Sequence, residues 1–151
     1  MACSSTKKKS FSIVQISIGI LTVILVVLIV AMMMIVSSIQ GTARIVNYAG
    51  LVRGKTQRIV KLEISGKQED DMIQEIESFI DGLRNGNKEL NLVRLEDSDF
   101  QTKMEELNEY FLMLKQEIMQ VRAYGADKTQ ILSKSERFFE ICDEATGLAE
   151  V

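Results

Sequence analysis

Charged residues are absent from one long stretch near the start of the chain and frequent everywhere after it. No charge occurs between Ser10 and Ala43, and the apolar run from Ile13 to Val36 contains only three polar side chains. At about 1.5 Å of rise per residue, a helix over this run is about 36 Å long, which exceeds the roughly 30 Å hydrocarbon core of a bilayer. An uncharged helix also satisfies its own backbone in lipid. The pattern therefore predicts a transmembrane helix over residues 13–36.

The residues that flank this run indicate its topology. Three lysines at 7–9 precede it, and the next basic residue is Arg44. By the positive-inside rule, the N-terminus is therefore cytoplasmic. A cleavable signal peptide would have an apolar region of about 7–15 residues and an A-x-A-like exit. The sequence has neither, so we expect an uncleaved, single-pass anchor in the cell membrane, with a basic cytoplasmic tail over 1–12 and an extracytoplasmic domain over 37–151.

Beyond the anchor, apolar residues recur at helical spacing, and the chain contains no proline. Glycines at 66, 86 and 125 stand where this periodicity stops, as is typical of helix ends and turns. Four helices are predicted after the anchor, the first over about 40–64 and the second over about 69–83. The third extends from the capping box Ser98-x-x-Gln101 to Gly125, and the fourth is capped by Asp127. Short turns between amphipathic helices predict an all-α fold, an antiparallel four-helix bundle.

Each predicted helix has an apolar stripe for the core. In the second helix the stripe is Met72, Ile73, Ile76, Phe79, Ile80 and Leu83. In the third it is Phe100, Met104, Leu107, Phe111, Leu114, Ile118 and Val121. In the fourth it is Ile131, Phe138, Cys142, Ala145 and Ala149. The first helix has two adjacent seams, Val46-Gly50-Arg53-Gln57-Val60-Ile64 and Ile45-Ala49-Val52-Thr56-Ile59.

The first helix of the domain has an unusual charge. Between Gly41 and Leu62 there are basic residues and no acidic ones, whereas all 21 acidic residues of the chain lie at or beyond Glu63. The simplest interpretation is that these cations pair with acids on neighbouring helices. However, an Arg within a packed seam is costly unless it finds a partner. Gly50 and Gly54, one turn apart, would let another backbone come close, although each weakens the helix by roughly 1 kcal/mol relative to Ala.

These features lead to a hypothesis about Arg53. If two copies pair through this helix, two Arg53 side chains face each other near the two-fold axis, and a small anion between them relieves their repulsion. Binding would then change the packing of helices that continue into the membrane. The alternative is a structural Arg53 that pairs with a buried Glu of its own bundle.

The motif Asn47-Tyr48-Ala49-Gly50-x-x-Arg53-x-x-x-x-Arg58 resembles the P-box of bacterial nitrate/nitrite sensor kinases and of the N-terminal domain of type IV pili chemotaxis transducers (PilJ-type). The wider runs over 49–58 and 92–97 are similar to sensor ectodomains of Gram-positive diguanylate cyclases, kinases and chemoreceptors. The resemblance implies a homodimeric bundle flanked by two transmembrane helices, with a cytoplasmic output module.

The resemblance also assigns a binding site. It implies that Arg53 contacts a small anion, with Asn47 and Gly50 as supporting positions, and Gln57 completes the expected site. Gly54, Lys55 and Gln57 depart from the nitrate-sensor pattern, so the identity of the anion stays open. The second span and the output module would lie outside this sequence, as in a truncated receptor, an expression product or a stand-alone variant.

Other functions are less compatible with the composition. The chain has no His, which excludes histidine metal sites, Ser-His-Asp triads and Cys-His dyads within it. We therefore expect no enzyme, metal site or cofactor, and a net acidic external domain does not favour nucleic acid. Cys3 and Cys142 would lie on opposite sides of the membrane. The competing function is a membrane-anchored interaction bundle that binds a partner protein without a small ligand.

The predicted topology can be tested by labelling. In a chain without its two native cysteines, we expect Lys88→Cys, in the predicted loop over 84–97, to react with a membrane-impermeant maleimide on intact cells. A cysteine at Ser5 should react only after the membrane is permeabilised. The reverse pattern would contradict the predicted orientation.

Overall fold

The computed structural model describes residues 4–125 and 128–150, and they form four helices. The helices are α1 (Ser4–Ile64), α2 (Asp70–Asn85), α3 (Ser98–Tyr124) and α4 (Thr129–Ala149). Within the described ranges there is no strand, only an isolated antiparallel bridge between Asn87 and Leu92 in the α2–α3 connection. The predicted all-α fold is confirmed.

The chain divides into two units, Met1–Gln40 and Gly41–Val151. In the first unit, the large apolar side chains between Val14 and Ile39 are 46–70% exposed. By length and composition, one helix among the described residues is able to cross a membrane, and it is this apolar one. The boundaries of the predicted tail, span and external domain, and their orientation, stay predictions.

The second unit is a bundle in which neighbouring helices run in opposite directions. On α1 and α2, Tyr48 packs edge-on against Phe79 and Lys55 donates a hydrogen bond to Glu75 at 2.6 Å, so the numbering falls on α2 as it rises on α1. The same reversal holds between α2 and α3, in the pairs Glu77–Lys115 and Asp70–Arg122. It holds between α3 and α4, in the pairs Lys103–Glu144 and Glu117–Lys134. It also holds between α1 and α4, in the pairs Arg53–Asp143 and Ile64–Lys128. Each helix therefore lies antiparallel to two neighbours, with α1 between α2 and α4.

The buried core follows the predicted stripes closely. All seven predicted positions of α3 and all five of α4 are buried, and α2 departs only at Met72, which is partly buried. In α1 the seam of Ile45, Ala49, Val52, Thr56 and Ile59 is fully buried. Of the competing seam, only Val60 is buried, because a single helix turns one face of about 100° towards the core of a bundle.

The helix ends correct two details of the sequence analysis. α3 begins one residue earlier than the predicted capping box, because the Asp97 carboxylate accepts a hydrogen bond from the Phe100 backbone N–H at 2.8 Å. The Gln101 amide instead donates to the Leu95 carbonyl at 2.7 Å. α3 ends at Gly125 as predicted, in the left-handed conformation that glycine adopts without strain. Asp127, the predicted cap of α4, lies outside the described residues.

An ion pair joins three helices at the end of the bundle where α1 stops. Arg122 of α3 donates two hydrogen bonds to Glu63 of α1, one of them at 3.0 Å, and one to Asp70 of α2 at 2.5 Å. The side chain of Glu63 is only 3% exposed and that of Arg122 only 16%. Hydrogen bonding to Glu63 raises the pKa of Arg122 above its usual value, burial opposes that rise, and Asp70 adds to it. The buried carboxylate therefore has a permanently charged, bidentate partner.

Leu114 and Leu112 provide a matched test of the core. Leu114 is fully buried in α3, and Leu112 on the same helix is 49% exposed. We expect Leu114→Ala to lower the free energy of unfolding by about 2–5 kcal/mol, since it leaves a cavity. Leu112→Ala should change it by about 0.5 kcal/mol or less. Urea unfolding of the full chain in micelles measures both, and equal effects would contradict the assigned packing.

Arg122 provides a test of the buried ion pair. We expect Arg122→Met to cost about 3–5 kcal/mol of unfolding free energy, because it leaves the Glu63 carboxylate buried without its partner. Arg137→Met is the control, since Arg137 also bridges acidic residues but is 43% exposed, and its loss should be much smaller. Similar losses for the two variants would show that the pair at Glu63 is not a buried one.

Candidate ligand-binding surface

The face of α1 that points away from the bundle core is polar, basic and open. Asn47, Gly50, Gly54, Arg58 and Lys61 are all exposed along it. Apart from the adjoining backbone of α1 itself, a Cβ atom added at Gly50 or Gly54 would meet no atom within 4 Å. At these two glycines the helix backbone itself is accessible, so a second helix could approach it closely. We call these five residues the outer face of α1.

Arg53 lies on the flank of α1 and not in the packed seam where the sequence placed it. Its side chain is 46% exposed, so its charge remains solvated within this protomer. The flank turns towards α4, where the guanidinium Nη1 donates a hydrogen bond to the Asp143 carboxylate. Within the described residues this is its one hydrogen bond, which leaves the remaining guanidinium N–H groups available to a ligand.

The partner of Arg53 within the protomer differs from the buried Glu that was the alternative expectation. Asp143 is an aspartate with a side chain 56% exposed, not a buried Glu. The buried Glu that does accept an Arg is Glu63, and its partner is Arg122. The general expectation of pairing with neighbouring helices holds for Arg53 and for Lys55, which bonds to Glu75.

The four predicted site residues do not converge within one protomer. Asn47 and Gly50 belong to the outer face, and Arg53 lies at the flank beside α4. Gln57, one turn further along, lines a small cleft of about 170 Å³ between α1 and α4. The other residues that line the cleft are Val60, Lys61, Leu132, Ser135, Glu136 and Phe139. Asp143 is a residue that the sequence analysis missed, because nothing local to α4 indicates its contact with α1.

Near the C-terminal end of α1, two cations have no acidic partner among the residues that the structure describes. These are Arg58 and Lys61, and both are exposed. Their charges add to that of Arg53 along about two turns of one helix. The result is a local surplus of positive charge on a domain that is acidic as a whole. A surface of this kind attracts small anions and acidic surfaces.

Cys142, next to Asp143, is a core residue and not part of a reactive site. It is fully buried and unpaired, as the sequence analysis expected of a small core residue. Burial is the main cause that raises the pKa of its thiol to about 12, the Asp143 carboxylate adds to the rise, and Arg53 opposes it. The thiol therefore stays protonated and unreactive at neutral pH. Across the described ranges, no three His, Cys, Asp or Glu side chains are grouped as a metal site.

Comparison with known proteins identifies the class of fold. No protein-family model matches the chain, and no curated protein sequence does either. Among solved structures, the chain is similar to a receptor ligand-binding domain, with a TM-score of 0.63 over 71% of this chain and 94% of the other. That structure is the ligand-binding domain of the nitrate receptor McpN of P. aeruginosa, at 17% sequence identity. The likeness establishes that this chain has the fold of a receptor ligand-binding domain.

Proposed function

We propose that the chain is the extracytoplasmic sensor domain of a transmembrane signal-transduction receptor. In this proposal, two copies pair through the outer face of α1 and bind a small anion at their interface. The observation that carries it is Arg53, half exposed and with free guanidinium donors, beside an open face with two accessible glycines. The receptor-domain fold and the apolar helix that could span a membrane support the same conclusion.

The glycines support a dimer through α1. Pairing two α1 helices brings two rows of like charge together, which is unfavourable unless something neutralises them. The open backbone at Gly50 and Gly54 permits close approach, and Arg53 from each copy would then lie within reach of one shared anion. The anion supplies the missing negative charge and accepts hydrogen bonds from both guanidinium groups. Dimerisation and anion binding would therefore favour each other.

The chemistry of Arg53 indicates a class of ligand. A guanidinium is planar and presents parallel N–H donors, which match anions with two or three oxygens in one plane. Carboxylates, nitrite and nitrate all have this shape. The similar solved structure comes from a nitrate receptor, so nitrate is the first ligand to test. Asn47, Gly50 and Gln57 are supporting positions in this proposal, and at least Asn47 would contribute across the dimer.

Signal transfer in this proposal goes through α1. The same helix contains the apolar segment and the residues of the outer face. A change in how two α1 helices pack would be felt along a helix that crosses the membrane, and a shift of about 1–2 Å is typical of such transitions. The lipid bilayer is therefore a direct partner. The receiver would be a cytoplasmic output module or a separate protein.

A second candidate function is a membrane-anchored bundle that binds a partner protein without a small ligand. The observation that favours it lies on α3, where Leu112, Met113 and Met119 are 42–51% exposed. Apolar side chains grouped on an outer helix face are one mark of a protein-binding surface. In this case Arg53 would be a replaceable surface residue, and its loss would leave partner binding intact.

Thermal unfolding of the full chain in nanodiscs, with nitrate, nitrite, acetate and citrate, tests the proposal. We expect one of these anions, at about 100 times its dissociation constant, to raise the free energy of unfolding by about 2.7 kcal/mol. Arg53→Ala should abolish this stabilisation. Arg137→Ala, which removes a similarly exposed Arg from α4, should preserve it.

Two outcomes of this experiment separate the candidate functions. If an anion stabilises the wild type but not Arg53→Ala, analytical ultracentrifugation should also show more dimer when that anion is present. If no anion stabilises the wild type more than Arg53→Ala, the anion-sensor proposal is wrong and the interaction bundle is favoured.

A further inference from the structure

The Arg53 guanidinium of the ligand-free protomer already holds a carboxylate. Asp143 of α4 supplies it, through a hydrogen bond and ion pair with Nη1. A carboxylate has two oxygens in one plane, which is the feature that the proposed ligands share. We propose that Asp143 is an internal competitor, which neutralises Arg53 and holds its Nη1 donor until an external anion displaces it, and so sets the affinity of the site. This inference rests on the proposed function.

Exposure makes this ion pair exchangeable. The side chains of Arg53 and Asp143 are 46% and 56% exposed, so water and ions reach both of them. Arg122 and Glu63 form the opposite case, at 16% and 3% exposed, with a second carboxylate from Asp70. Exposed single ion pairs are weak, whereas buried hydrogen-bonded ones are costly to break. Of these two interhelical arginines, Arg53 is the one that can change partners.

Buried residues near Asp143 on α4 hold its backbone in the bundle. Cys142 and Ala145, on either side, are fully buried in the core. The Asp143 carboxylate can therefore leave Arg53 by rotation of its side chain, without α4 leaving the bundle. Displacement would remove a direct link between α1 and α4. In the proposed receptor, anion binding thus loosens α1 from its own bundle as it joins α1 to the second copy.

A tethered competitor also sets a threshold for the ligand. A group held close by a short flexible connection acts at an effective concentration in the millimolar range. A free anion must bind Arg53 and its surroundings better than this internal carboxylate does. A monodentate or weakly held anion would not displace it, whereas one that bonds to two arginines across a dimer would. Asp143 therefore selects for anions that engage both copies.

Neutralising Asp143 tests this inference. We would measure nitrate and acetate binding by titration calorimetry on the full chain in nanodiscs, for wild type and Asp143→Asn. In Asp143→Asn the anion no longer has to break the surface ion pair with Arg53, which contributes up to about fivefold to its affinity. The anion also no longer meets the negative charge of Asp143, which contributes a similar factor. We expect Asp143→Asn to bind the anion about 5- to 25-fold more tightly, and the double variant with Arg53→Ala to show no gain.

Glu140→Gln is the matched control. Glu140 lies on α4 one turn before Asp143, is exposed, and pairs with Arg137 instead of Arg53. Glu140→Gln removes one negative charge from the same helix but leaves the Arg53–Asp143 pair intact. The affinity of this variant for the anion should therefore stay within about twofold of the wild type. Far-UV circular dichroism of each variant, with its thermal midpoint, verifies that the bundle is folded.

The outcomes separate this inference from the proposed function. If an Arg53-dependent anion site exists and Asp143→Asn binds no more tightly than the wild type, or Glu140→Gln gains as much, the competitor role is wrong and the sensor proposal stands. If no variant binds either anion, and nitrite and citrate also fail to stabilise the wild type, both proposals are wrong. Binding that is measurable in the wild type, about 5- to 25-fold tighter in Asp143→Asn and lost with Arg53→Ala supports both.

Discussion

Burial of one apolar stripe of α1 is the constraint on which the rest of the domain depends. Ile45, Ala49, Val52, Thr56 and Ile59 face the bundle, and together with the stripes of α2, α3 and α4 they form one core. A helix that turns these residues inward must turn Asn47, Gly50 and Gly54 outward. The exposure of Asn47, Gly50 and Gly54 is thus a direct consequence of core packing. The same rotation carries Arg53 to the flank, within reach of α4.

Arg122 and Arg53 each pair with a carboxylate on another helix, but one pair is buried and the other is exposed. Arg122 is enclosed where three helices meet, and it neutralises Glu63, which would otherwise be an unpaired charge in the core. Arg53 meets one exposed carboxylate at the bundle surface. The first pair is part of the fold, since its loss leaves a buried charge without compensation. The second can be given up at little cost to stability, which makes Arg53 suited to a ligand.

The proposed function combines these two features. An anion that replaces Asp143 would exchange a contact inside the protomer for a contact between protomers, so ligand binding and helix pairing become one event. The glycines make close pairing possible, and the unpartnered cations Arg58 and Lys61 make it dependent on negative charge. The fold shared with a receptor ligand-binding domain is consistent with this role. The ligand class follows from the shape of the guanidinium and not from that likeness.

The sequence by itself determined the apolar span, the four helices and nearly every core position, because hydrophobic spacing and glycine at helix ends act over a few residues. It could not determine which of two adjacent seams of α1 would face the core, because each satisfies the same local periodicity. Nor could it assign partners to Arg53 and Arg122. Their carboxylates lie 90 and 59 residues away in the chain, and only the packed bundle brings them into contact. The tertiary structure made that choice, because the packed stripes of α2, α3 and α4 fix which face of α1 is covered, and that face leaves Arg53 at the surface.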